Sequence, residues 1–266
     1  MNNSMVDKSK GTSKLALLRQ NRGIKTQEVD IEKAIDGFAS SIDSQAMMAE
    51  IARNSAIINL IIDCSGSMSG TSTPIAQEIN VFAMRQAAKL YTTMLSLTVF
   101  NDEVFTKFGK LNTKQFAPIS PWGCCGGTNI YDALFDAITP ILKTDANHKL
   151  HLIITDGENG YSEHSTEQVR ELITSRIQAG EHVFLLYNND MQDSAKSYAE
   201  RLGIKSNNAV NFNRDGDGIK IVFQTIEDLL DGLRTNGAVP EDWAKVITAH
   251  AANPLGIKAR EIKYLE

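Results

Sequence analysis

No stretch of this 266-residue sequence approaches the roughly 20 apolar residues of a membrane-spanning helix. The apolar run nearest the start, Leu15 to Leu18, is too short for the core of a signal peptide. Cysteine is scarce. Cys64, Cys124 and Cys125 form an odd set without structural-zinc spacing, so a disulfide framework and a zinc ribbon are excluded, and reduced thiols in a cytoplasmic protein are expected. Five histidines, His148 and His151 among them, also lack a zinc pattern. There is no excess of basic charge: the net charge of −5 argues against a dedicated nucleic-acid binder. No G-x-G-x-x-G follows the first apolar strand and no P-loop occurs, which removes the usual dinucleotide and nucleotide-triphosphate sites.

What is present is an ordinary globular composition, 42% hydrophobic and 22% charged, able to bury a core. The charge is uneven. Residues 1–27 carry six Lys/Arg against one Asp, a net of +5, which leaves −10 for the remainder. That polar segment reads as a flexible basic arm. Residues 28–55 read as a helical extension, with Ile31, Ile35, Phe38 and Ile42 at helical spacing and a second short helix over Ser44 to Asn54.

Strands and helices then alternate through residues 56–235. Ala56 to Asp63 is apolar enough for a strand buried on both faces. Thr73-Pro74 offers a cap and a first-turn proline for a helix reaching about residue 93, with Ile75, Ile79, Phe82 and Leu90 on one face. Leu95 to Phe100 and Glu103 to Phe108 make a hairpin around Asn101-Asp102, placing one antiparallel strand at the sheet edge. A Gly-, Pro- and Cys-containing loop, Pro118 to Gly127, leads to a helix over Asn129 to Leu142. Leu150 to Thr155 and His182 to Tyr187 read as strands, Ser165 to Ala179 and Gln192 to Leu202 as helices. Ile219 to Phe223 reads as a last strand and Ile226 to Leu233 as a last helix. This alternation predicts an α/β fold with a doubly wound, mostly parallel, Rossmann-like sheet. Residues 236–266 read as a C-terminal helical extension, with Trp243, Val246, Ile247 and His250 on one face until Asn253-Pro254 stops the helix.

The chemistry gathers at strand ends. Asp63-Cys64-Ser65-Gly66-Ser67 leaves the first strand with an Asp and two hydroxyls at alternate positions. Such a cluster of hard oxygens suits Mg²⁺, Mn²⁺ or Ca²⁺ and does not suit zinc or copper. Gly126-Gly127-Thr128 precedes a helix, and Ile153-Ile154-Thr155-Asp156-Gly157 ends a second apolar strand in an aspartate. In a sheet of order 3-2-1-4-5-6, strands 1 and 4 are neighbours at the topological switch point. Counting the antiparallel edge strand as the third makes the Asp156 strand the fourth. Both aspartates then emerge in the crevice where such folds bind ligands.

The Asp-x-Ser-x-Ser run, the later Thr128 and the later Asp156, in this order and at these strand ends, resemble the metal-ion-dependent adhesion site of von Willebrand factor A domains. The wording Asp63-Cys-Ser-Gly-Ser-Met68 with Gly-Gly-Thr is similar to intracellular bacterial members, including tellurite-resistance and chaperone-associated proteins. The resemblance covers about residues 56–235. It implies that Ser65, Ser67 and Thr128 are direct ligands of a Mg²⁺ ion (Mn²⁺ or Ca²⁺ being alternatives), with Asp63 and Asp156 acting mainly through water. It also implies a protein partner that offers an Asp or Glu to the metal, in an intracellular stress-response or chaperone-type assembly, without catalysis.

A Mg²⁺-dependent hydrolase of haloacid-dehalogenase type, with Asp63 as nucleophile, is the competing class. It needs a second carboxylate two residues on, where this chain has Ser65. Trp122, Tyr131, Tyr161, Glu163, His164, Asn188 and Asp190 are expected on loops around the metal face, and Glu158 in the loop beside Asp156. Asn211, Asn213, Asp215 and Gly216 imitate the start of an EF-hand loop. The closing Glu of such a loop would fall on Val222, so a turn is expected there.

Overall fold

Every residue of Ala56–Asp63 is buried, which requires a strand covered on both faces. The computed structural model, which describes residues 44–157, 159–188 and 194–259, makes this strand, β1, the centre of a six-stranded sheet. The others are β2 (Thr93–Phe100), β3 (Val104–Asn112), β4 (His148–Thr155), β5 (His182–Tyr187) and β6 (Ala209–Asn211). Their order is β3-β2-β1-β4-β5-β6, parallel throughout except for the antiparallel β2–β3 pair at one edge. This is the order that strand counting anticipated.

The chain divides into two units, residues 1–47 and 48–266. Of the first, residues 44–47 are described, as the opening turn of helix α1 (Ser44–Arg53). The basic arm and the helical pattern at residues 31–42 lie outside the described residues. In the second unit the sheet is flanked by α2 (Ser72–Ala88), α3 (Ile130–Ile138), α4 (Thr166–Gln178), α5 (Ser194–Leu202), α6 (Gly216–Asn236) and α7 (Lys245–Ala252).

Strand alternation splits the core into two layers. Ile58, Leu60 and Ile62 of β1, with Leu152 and Ile154 of β4, pack against α2 and α6. Ile61, Ile153, Val183 and Leu185 face the other way, onto α3, α4 and α5. The second layer also holds a buried polar chain: Asn59 Nδ2 lies 3.0 Å from His151 Nδ1, and His151 Nε2 lies 2.8 Å from Glu181 Oε2. His151 is therefore structural.

Four element assignments change. Ile219 to Phe223 is not a strand but the second turn of α6, and the segment 226–233 belongs to the same helix. Its apolar residues recur at 219, 222, 223, 226, 229, 230 and 233, a helical stripe that overrides the β-branched composition of the first five. Asp215 caps the helix by accepting from Gly218 N at 2.6 Å, and Gly237, with φ of +68°, ends it. The sixth strand is instead Ala209–Asn211, too short to leave a periodic signal. Helix α2 starts at Ser72 with Thr71 as its flanking residue, so Pro74 sits third, still inside the first turn where its missing N–H needs no partner. The helix of residues 129–142 tightens into a 3₁₀ segment from Thr139, next to Pro140. In the C-terminal segment Trp243 and His250 are buried but Val246 is half exposed, so the apolar face is narrower than the sequence suggests. Trp243 sits before α7, edge-on to Phe184 at 5.0 Å, and its Nε1 donates to the Asn207 carbonyl at 2.8 Å. Among the described residues no helix is long and apolar enough to cross a membrane.

Candidate metal centre

The parallel register sets Ile62 opposite Ile154, so Asp63 and Thr155 leave adjacent strands together. Thr155 Oγ1 donates to Asp63 Oδ2 at 2.6 Å, while Ser65 N donates to Asp63 Oδ1 at 2.7 Å. Asp63 is thereby fixed in a buried position, 1% exposed. Burial raises its pKa above the ordinary carboxylate range. The bonds from Thr155 and Ser65 oppose that rise, and the nearby Asp156 charge adds to it.

The loop after β1 turns Cys64 into the apolar core and leaves Ser65 and Ser67 beside the aspartates. Ser65 Oγ and Ser67 Oγ are 3.1 Å apart, and Ser67 Oγ donates to Asp156 Oδ1 at 2.7 Å. Asp63, Ser65, Ser67 and Asp156 thus form one connected oxygen cluster at the carboxyl ends of β1 and β4.

Thr128 arrives from a third loop, tied to the first through Cys125 N to Cys64 O at 2.9 Å and Gly66 N to Gly126 O at 3.0 Å. Its carbonyl accepts from Gly160 N at 2.8 Å. Its hydroxyl lies against Gly157: a Cβ added there would come within 3.2 Å of Thr128 Oγ1. Gly157 thus leaves room for the Thr128 side chain directly beside Asp156. The structure thus joins four of the five sequence-identified residues by contacts and sets Thr128 against Gly157, the residue after Asp156.

Three participants carried no sequence signal for their roles. Thr155 reads only as the end of a strand. Asp102 reads as a turn residue, yet its Oδ1 accepts from Gly127 N at 2.8 Å and holds the loop before Thr128. A Cβ on Gly126, where φ is +75°, would fall 2.0 Å from Asp102 Oδ2, so glycine is required twice over. Arg214, in the loop between β6 and α6, donates through Nη1 to the Ser67 carbonyl and lies 3.5 Å from Asp156 Oδ2.

The surrounding residues sort unevenly. Tyr161 is 82% exposed at this end of the sheet, whereas Trp122 is half-buried against the core. His164 is a fastener: its ring stacks on Phe135 at 3.8 Å and its Nδ1 meets Asp132 Oδ1 at 2.6 Å. Burial would raise Asp132, but the amides of Glu163 and His164 and the His164 ring outweigh it and hold the carboxyl below its ordinary range. The Tyr131 hydroxyl is tied to Thr166 Oγ1 at 3.1 Å, and Asn188 N donates to the Thr155 carbonyl at 2.9 Å. Glu158 and Asp190 lie outside the described residues. Asn211 and Asp215 serve the neighbouring helix starts instead. Asn211 ends β6 and accepts from Ala195 N, and Asp215 is the α6 cap. All three cysteines are free, and burial, with Cys124 and Asp63 nearby, pushes the Cys64 thiol up to about 12.

The donor set fits a hard divalent cation. It has two carboxylates and three hydroxyls, with no imidazole or thiol among them. Among the described residues no three of His, Cys, Asp and Glu come together as a metal cluster, so any ion held here depends on the hydroxyls.

No family model matches the chain, and no curated protein matches it. Solved structures do. Proximal thread matrix protein 1 from the mussel byssus, with a zinc-occupied MIDAS motif, shares 16% identity over 68% of this chain and 44% of its own, with a TM-score of 0.47. A von Willebrand factor type A structure from Catenulispora acidiphila shares 17% over 67% and 43%, with a TM-score of 0.47. Manganese-loaded TRAP protein of Plasmodium vivax shares 17% over 51% and 57%, with a TM-score of 0.40. This chain spans less than two thirds of each, and similarity so distant assigns no residue a role. The sheet order and the oxygen cluster are this chain's own: a doubly wound α/β domain with a hard-oxygen site at its switch point.

Proposed function

We propose that this chain carries a von Willebrand A-type, metal-dependent binding module that performs no turnover. Mg²⁺, with Mn²⁺ or Ca²⁺ as alternatives, would be held by Ser65, Ser67 and Thr128, with Asp63 and Asp156 supplying negative charge. The ion supplies a Lewis-acidic position for a carboxylate from outside. One observation carries the proposal: the unbroken contact from Ser65 Oγ to Ser67 Oγ to Asp156 Oδ1, beside a buried Asp63, joins residues from two adjacent strand ends.

Two carboxylates and three hydroxyls neutralise a dication without completing six-fold coordination, which leaves room for water or a partner's oxygen. A partner Asp or Glu would fill that place. The exposed Tyr161 ring at the same end of the sheet offers an aromatic contact for such a partner. Asp63 makes a poor nucleophile, because both of its oxygens already accept short hydrogen bonds and the position two residues on is a serine. The motif's wording favours an intracellular stress-response or chaperone-type assembly.

The test is capture of protein partners by the full chain with Mg²⁺ or with chelator. Wild type should capture in Mg²⁺ alone, and Asp63→Ala and Ser67→Ala should not, while circular dichroism stays unchanged. Phosphate-ester hydrolysis by the wild type that Asp63→Asn abolishes would favour the hydrolase instead.

A further inference from the structure

Arg214 is the group at this site that the oxygen-ligand pattern leaves unexplained. Its Nη1 reaches the Ser67 carbonyl and lies 3.5 Å from Asp156 Oδ2, although Arg214 is 147 residues from Ser67 in sequence. The Asp156 side chain is only 7% exposed, while that of Arg214 is half exposed. A shielded carboxylate next to a second, buried carboxylate demands a positive charge. Among the described residues, Arg214 is the cation paired with Asp156.

The backbone that presents Arg214 is anchored from its other side. Asp215 accepts from Gly218 N as the cap of α6, and its Oδ1 also lies 3.2 Å from Nε2 of the buried His250 on α7. The guanidinium is therefore presented at the rim by an anchored loop, with half of its side chain exposed to solvent.

We propose that Arg214 is a built-in counter-cation of the site, one that competes with the divalent ion for Asp156. This rests on the metal site proposed above. A guanidinium and a dication drawn to the same carboxylate repel each other, so loading the ion requires Arg214 to leave. Half exposure keeps the penalty modest, and removing the positive charge should tighten ion binding by about three- to tenfold.

The experiment titrates Mn²⁺ into the full chain at low ionic strength, followed by paramagnetic resonance of the free ion, for wild type, Arg214→Ala, Arg214→Gln and Arg214→Lys. The Ala and Gln variants should bind Mn²⁺ more tightly than wild type, and Lys should stay close to it. In chelator, Ala and Gln should melt below wild type, because Asp156 has lost its counter-charge. Equal or weaker Mn²⁺ binding by Ala and Gln overturns the proposal. If wild type takes up no Mn²⁺, the metal site itself fails, and melting in chelator then decides whether Arg214 neutralises Asp156: unchanged melting overturns that too.

Discussion

The hydroxyl of Thr155 on β4 donates to Oδ2 of Asp63 on β1 at 2.6 Å, across two strands that run side by side. This bond and that from Ser65 N, one on each oxygen, orient the first carboxylate of the site. The same hydroxyl accepts from Gly157 N at 3.2 Å, linking the strand end to the residue after Asp156.

Thr155→Val preserves the shape and deletes the hydroxyl. A buried carboxylate that loses one of its donors should cost about 1–3 kcal/mol of stability, read from urea unfolding. Thr155→Ser should recover most of it. Equal stability of wild type and the valine variant would show that the bond is not holding Asp63.

Gly157→Ala pushes a methyl to 3.2 Å from Thr128 Oγ1. The expected outcome is a folded protein with weaker Mn²⁺ binding, since Thr128 must shift. Gly126→Ala should instead lower stability by about 1–2 kcal/mol, because it combines left-handed strain with a collision at Asp102. Reversal of that ranking in Mn²⁺ titration and thermal melting would contradict the placement of Thr128.

Glu181 supplies the pH dependence. Burial would raise its pKa, but the His151 hydrogen bond and charge, with Lys149 and Arg176 nearby, outweigh it and lower the native value. A carboxyl with a lowered native pKa adds stability above its unfolded pKa, about 4.3, and loses it as pH falls through the lower native value. Glu181→Gln should therefore be less stable than wild type at neutral pH, with the gap closing below that point. A gap independent of pH across acid unfolding would contradict the stabilisation of the Glu181 carboxylate by its bond to His151 and by its basic neighbours.

Asp215→Ala removes the α6 cap and should cost about 1 kcal/mol. Asp215→Asn, which also caps, should retain most of the stability. If both variants behave alike, the cap bond to Gly218 N contributes little and the helix start rests on packing alone.

The strand ends of the site were legible because a nearly continuous apolar run has few alternatives: Ala56 to Ile62, broken only by Asn59, and Leu150 to Ile154, broken only by His151, read as strands buried on both faces, with Asp63 and Asp156 at or just past their ends. The element error at Ile219 to Phe223 has the opposite cause. Its β-branched residues fit a strand or a buried helix equally over five positions, and only the capped stripe on to Leu233 decides between them.

The sequence alone thus placed Asp63 and Asp156 at the ends of neighbouring strands, because a mostly apolar strand fixes where its terminal residue emerges, and the resemblance of its motifs to a metal-ion-dependent adhesion site nominated Ser65, Ser67 and Thr128 beside them. The tertiary structure decided what joins them. The grip of Thr155 on Asp63 spans 92 residues, that of Asp102 on Gly127 spans 25, and that of Arg214 on Asp156 spans 58. Such contacts come from loops meeting above a folded sheet, and no pattern of neighbouring residues encodes where a distant side chain will land.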